Sequence, residues 1–228
     1  MKRSSVLLML FVVVCATELL AVTVDWQIAH LTAKPLIMLS LLGYYLSTTV
    51  KRSATFIAAL LFCWAGDVLL LFQSKDEIFF ILGLVAFLTG HVLYILAYRR
   101  FQWADRRNEL MPTQKIRFSF PIILAGTGLI VVLFPSLGSL KIPVVVYAVV
   151  LMLMVMTALF RYGRTNPGSF WLVFIGAAVF MSSDSLLAIN KFYSPFYLSG
   201  FFIMLTYSVA QYLMVEGVVR HDVELRQK

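Results

Sequence analysis

Eight apolar runs, each about as long as a bilayer is thick, alternate along this chain with short polar joints. They fall at about 5–24, 31–50, 54–72, 78–98, 117–135, 142–160, 168–188 and 196–217. A run of roughly 20 apolar residues, wound as an α-helix, spans the hydrocarbon of a membrane. Each joint carries a charge, a proline or a glycine, and the longest covers about 99–116. Pro143, Pro167 and Pro195 stand at the starts of runs, where a missing N–H costs nothing. The pattern predicts an all-α, polytopic membrane protein: one transmembrane domain over residues 1–228, a bundle of about eight helices.

The first run needs a separate reading. Lys2 and Arg3 precede it, as they would in a signal peptide. Ser5 to Val24 is longer than a typical secretory h-region and carries no convincing small-residue cleavage site. Val12-Val13-Val14-Cys15 is a poor lipobox match. The run is therefore expected to be retained as the first helix.

Composition agrees with lipid as the solvent. Of 228 residues, 61% are hydrophobic and 13% charged, and the mean hydropathy is +0.90; a soluble domain is about 25% charged. The net charge of +8 would suit nucleic acid, but the charges lie in the joints and follow the positive-inside rule. Alternate joints from the N-terminus hold 15 Lys and Arg, including Arg99, Arg100, Arg106, Arg107, Lys115 and Arg117 in the longest. The other side holds 3, Lys75, Lys141 and Lys191, and Lys34 lies within a run. This asymmetry predicts an even number of spans with both termini in the cytoplasm, and the short joints suggest a bacterial inner membrane. No nucleic-acid partner is expected. Cys15 and Cys63 lie in apolar runs, with neither a disulfide framework nor metal-ligand spacing.

The chain also resembles itself. Shifted by 117 residues, Gly66-Asp67-Val68-Leu69-Leu70 falls on Ser183-Asp184-Ser185-Leu186-Leu187, and 9 of the 36 positions from Cys63 to Tyr98 are identical. Two readings stand: shared membrane composition, or two four-helix halves forming a 4+4 parallel repeat about an axis along the membrane normal.

Ionisable groups inside a span are costly and usually face the bundle interior for a reason. The runs contain Glu18, Lys34, Asp67, His91 and Asp184, with the neutral amide of Gln211 in the last. Glu18, Lys34, Asp67 and Asp184 lie four to seven residues from the outer ends of their spans, about 6–10 Å deep at the helical rise. Four groups at similar depth suggest one polar pocket, with His91 and Gln211 as its floor. Lys34 precedes Pro35 near a helix end and has two further readings, snorkelling to the interface or pairing with Glu18. Two carboxyl groups on a shared cavity suit acid–base chemistry, because one in an apolar setting keeps its proton while a better solvated partner ionises. The same pair also suits a proton relay or cation site in a small transporter or proton-coupled carrier.

Other chemistries find little support. There is no HExxH, Walker loop, GxSxG elbow or cysteine cluster, and nothing calls for a cofactor or a metal. His221 falls in the C-terminal tail and His30 at the outer edge of the second run. The tyrosines and the four tryptophans are expected mostly as belt or packing residues.

Five strings, taken in order, resemble the YhhN family of membrane proteins, whose eukaryotic members are the lysoplasmalogenases. They are Lys34-Pro35-Leu36, Gly66-Asp67-Val68-Leu69-Leu70, Phe87-Leu88-Thr89-Gly90-His91-Val92-Leu93-Tyr94, Gly176 to Asp184, and Tyr207-Ser208-Val209-Ala210-Gln211-Tyr212-Leu213. The resemblance implies hydrolysis of the vinyl ether bond of lysoplasmalogens, with Asp67 and Asp184 as the catalytic carboxylates. The partners implied are that lysophospholipid and the surrounding membrane lipid; the oligomeric state is left open. Vinyl ethers hydrolyse once an acid protonates the β carbon, so a protonated and an ionised carboxyl would serve, much as in glycosidases. In that scheme Lys34 meets the phosphate, His91, Tyr94 and Gln211 orient water or the acid, and Glu18 supports them.

Overall fold

In hydrocarbon no water can satisfy a backbone N–H or C=O, so each spanning segment must bond within itself. The computed structural model, which describes residues 3–105 and 108–225, answers with eight long α-helices: α1 Arg3–Thr23, α2 Gln27–Thr48, α3 Ala54–Leu70, α4 Glu77–Arg100, α5 Pro112–Leu133, α6 Lys141–Leu159, α7 Pro167–Ala188 and α8 Ser199–Leu225. Among the described residues there is no strand. Lys2, Arg106, Arg107, Arg226 and Lys228, counted above on the basic side, lie outside the described residues.

Helix starts follow local chemistry. Asp76 Oδ1 accepts from Ile78 N–H at 2.9 Å and Asn166 Oδ1 from Ser169 N–H at 2.6 Å, with Pro167 as the first helical residue of α7. Such caps satisfy amides that a helix leaves orphaned. Six of the eight helices are long and apolar enough to cross a membrane on those grounds alone. α3 is apolar but has only 17 residues, and α2 has the length but not the apolarity.

Three boundaries move with consequences. α2 begins at Gln27 rather than 31, so Lys34-Pro35 lies inside a helix and not at its opening. α5 begins at Pro112 rather than 117, where the Gln114 side chain accepts from Met111 N–H at 2.9 Å. α8 runs on past 217 to Leu225, which carries His221 out of the expected tail and into the bundle. His221 is 2% exposed, and its Nδ1 lies 2.7 Å from the Thr165 hydroxyl.

The helices pack α1 on α2, α3 on α4 and α7 on α8 most extensively, with further pairs α2–α3, α6–α7, α4–α6 and α2–α8. Exchanging the first four helices for the last four turns α3–α4 into α7–α8, α2–α3 into α6–α7 and α4–α6 into α8–α2. These three exchanges follow the two-half pattern of the 117-residue shift, while α1 on α8 has no α4–α5 counterpart of similar extent. Small residues let these pairs approach closely, the usual device where the lipid is as apolar as the side chains. A Cβ on Gly176 would stand 2.9 Å from Met214 N and 3.0 Å from Ala210 O of α8. At the basic end, the fully buried Arg161 donates from Nε to Phe101 O at 3.1 Å and from its guanidinium to Ser169 Oγ at 2.8 Å, tying the ends of α4, α6 and α7 together.

Gly176→Leu should force α7 from α8 and cost about 2 kcal/mol or more. Gly128 on α5, with open space around it, should accept alanine without loss. Thermal unfolding in detergent checks both; equal transitions for the two variants would refute the close-packing account.

Candidate active site

Asp67 and Asp184 occupy equivalent places in the two halves, on α3 and α7, and each has its own tyrosine. Tyr207 of α8 donates to Asp67 Oδ2 at 2.6 Å, and Tyr147 of α6 donates to Asp184 Oδ2 at 2.5 Å. Both contacts lie at the short end of the O–H···O range. Asp67 is 2% exposed, while the Asp184 side chain is 11% exposed. The two carboxyl groups share no hydrogen bond among the described residues.

Aromatic rings connect them. His91 of α4 lies edge-on to Tyr147 at 5.2 Å and to Phe180 at 4.9 Å between centroids, and Phe180 meets Tyr207 at 5.6 Å. His91 is fully buried and neither ring nitrogen has a hydrogen-bond partner in the protein. Its Nε2 lies 3.9 Å from Asp184 Oδ2, too far for a direct bond and spaced for a water or substrate hydroxyl bonded to both.

Beside Asp184 lies a narrow cavity of about 60 Å³, walled by α3 to α7. The wall is hydrocarbon, with Leu70, Phe80, Leu133, Leu151 and Phe192 among it, apart from Asp184, Tyr147 and Ser185. The Ser185 hydroxyl is turned back onto Met181 O at 2.7 Å. The usable polar edge is therefore the Asp184–Tyr147 pair.

The other residues singled out in the sequence distribute unevenly. Tyr94 donates to Gln211 Oε1 at 2.6 Å, both fully buried; these two are again 117 positions apart, so the bond joins equivalent points of the halves. Glu18 is fully buried and bonds His30 Nδ1 at 2.8 Å through Oε1, not Lys34. Lys34 is 8% exposed, so it does not snorkel, and its charge and that of Glu18 act on Asp67. None of Glu18, Lys34, Asp67, His91, Tyr94 and Gln211 lines the cavity that Asp184 reaches. The polar groups thus form two carboxyl–tyrosine clusters linked by rings, where depth alone suggested one pocket. Among the described residues no three His, Cys, Asp or Glu side chains converge as a metal site.

Tyr147 and Tyr207, expected as belt or packing residues, are instead buried hydrogen-bond donors to the carboxyl groups. For Tyr147 a signal existed: it is the lone polar-tipped side chain in the apolar stretch from Ile142 to Met156, and a buried tyrosine hydroxyl needs a partner.

Comparison with known proteins adds a family. The YhhN family model matches residues 29–218. The chain is 27% identical over 199 residues to a Homo sapiens protein named lysoplasmalogenase TMEM86B, covering 87% of this chain and 78% of that one. It is 32% identical over 164 residues to proteins named lysoplasmalogenase from Mycobacterium bovis and Mycobacterium tuberculosis, covering 71% of this chain and 59% of each relative. No solved structure matches the chain.

Tyr147→Phe and Tyr207→Phe should each leave a buried carboxyl group short of a donor, at a cost of about 1–3 kcal/mol. Adding Asp184→Leu to Tyr147→Phe should recover part of that loss in a thermal unfolding assay; strictly additive losses would show that the pair does not act as a unit.

Proposed function

The chain belongs to the YhhN family, and we propose that it is an intramembrane lysoplasmalogenase: a hydrolase that cleaves the vinyl ether of a lysoplasmalogen to a fatty aldehyde and a glycerophosphoethanolamine or glycerophosphocholine. One observation carries this reading. The apolar cavity has one polar edge, the Asp184 carboxyl bonded by the Tyr147 hydroxyl.

The chemistry follows from what a vinyl ether needs. Asp184, protonated, gives its proton to the β carbon, and the C=C pair of electrons forms the new C–H bond. The remaining oxocarbenium ion is stabilised by negative charge nearby, as in glycoside hydrolysis. Ionised Asp67 supplies that charge, steadied by Tyr207, with Lys34 as its countercation. Water, oriented by His91 against Asp184, adds to the cationic carbon and returns a proton. The hemiacetal then collapses by breaking its bond to the glycerol oxygen, which leaves as the alcohol. Tyr94 and Gln211 hold the two halves in register, and Glu18 fixes His30 beside the Asp67 cluster. The charge distribution along the joints supports a matching topology, both termini cytoplasmic in a bacterial inner membrane and the carboxyl groups towards the opposite face.

Purified protein should release aldehyde from lysoplasmenyl-ethanolamine and none from its saturated ether analogue. Asp67→Asn and Asp184→Asn should each lower turnover at least about 100-fold, the scale of lost acid–base catalysis, while staying folded. No aldehyde from folded wild type would overturn the reading and favour a carrier, tested by uptake into liposomes.

A further inference from the structure

The mouth of the cavity carries a cation that the chemistry above does not use. α7 ends in a π-helical turn, Ile189–Tyr193; such wide turns often occur at functional sites. The turn brings Phe192 into the cavity wall and leaves Lys191 exposed just outside it. Lys191 Nζ stands 4.8 Å from the centre of the Phe80 ring, and Phe80, itself part of the wall, meets Phe192 edge-on at 5.8 Å. No ion pair engages Lys191 among the described residues.

We propose that the cavity holds the hydrocarbon chain of a lysophospholipid and that Lys191 binds its phosphate at the mouth, which sets the linkage between chain and headgroup at Asp184 and Tyr147. The inference rests on the lipid-hydrolase reading and names how that site takes its substrate.

Dimensions and charge both favour this pose. Lys191 follows Asp184 by seven residues, a separation of about 10 Å along a helix axis. In a lysophospholipid the sn-1 oxygen and the phosphorus are five single bonds apart, about 6 Å when extended at ordinary bond lengths. Hydrogen bonds of about 3 Å at either end complete the span. An ammonium group with no carboxylate partner, beside an apolar opening, complements a phosphate attached to a chain. Lys34, the phosphate ligand suggested by the family resemblance, is buried near Asp67 and touches neither the cavity nor its mouth. Its charge belongs to the other cluster.

The test uses two probes in lipid nanodiscs, each with a diazirine near the chain end: a saturated 1-O-alkyl-glycerophosphoethanolamine and the matching 1-O-alkylglycerol, which lacks the phosphate. Neither has a vinyl ether, so labelling does not depend on turnover. Both should label the cavity wall near Leu129, Leu133 or Leu151. Lys191→Gln should weaken labelling by the phosphorylated probe roughly tenfold, the worth of one charge-assisted hydrogen bond, and leave the alkylglycerol unchanged. Lys191→Arg should restore it, and Lys34→Gln should not discriminate between the probes. Leu129→Trp, on the half-buried α5 wall, should reduce labelling by both. Labelling outside the cavity, no effect of Lys191→Gln, or a phosphate-selective loss in Lys34→Gln would overturn the proposal. A failure of aldehyde release with this labelling intact would count against the hydrolase reading alone.

Discussion

The frame of this molecule answers to the cost of leaving a polar group unpaired in hydrocarbon. The backbone answers by forming helices throughout the membrane-spanning part. The two carboxyl groups answer by each taking a tyrosine hydroxyl at 2.5–2.6 Å. Those tyrosines come from α6 and α8, so pairing each carboxyl with its donor also ties α6 to α7 and α8 to α3. The Tyr94–Gln211 bond does the same between α4 and α8. Polar pairing thus supplies the specificity of a bundle whose apolar surfaces would otherwise pack interchangeably.

The two halves share a plan and differ in use. Equivalent helices present equivalent carboxyl groups, and several of the helix pairs recur on exchange of the halves. The cavity opens on the Asp184 side, lined by residues of α3 to α7. On the Asp67 side, α1 and α2 bring Glu18 and Lys34 into the interior instead, with the partly exposed His30 bonded to Glu18. A duplicated frame with one half hollow and the other charged is a natural way to give two identical residues different chemical settings.

Depth along a helix was legible in the sequence, and rotation about its axis was not. The spans, the side carrying most of the basic residues and the outlying carboxyl groups stand out because a charge in an apolar run is rare. Asp67, Asp184 and His91 were therefore visible. The one-pocket expectation failed to anticipate two clusters because helices apolar on every side give no signal of which face turns inward. Tyr147 and Tyr207 were hidden by the common occurrence of tyrosine at membrane borders. Lys191 was hidden because it looked like an ordinary joint residue, whereas in the fold it stands over the Phe80 ring of the cavity wall. His221 was misplaced because charges near the chain end resemble a tail, although the helix continues and buries it.

The central claim is that a carboxyl group protonates carbon. Hydrolysis of a lysoplasmenyl lipid in deuterium oxide tests it most directly, with mass spectrometry of the aldehyde trapped as it forms. Protonation at the β carbon predicts one deuterium on the carbon next to the aldehyde carbonyl in every turnover. An aldehyde released without deuterium there would contradict the account and require cleavage by a route that leaves the double-bond carbon untouched.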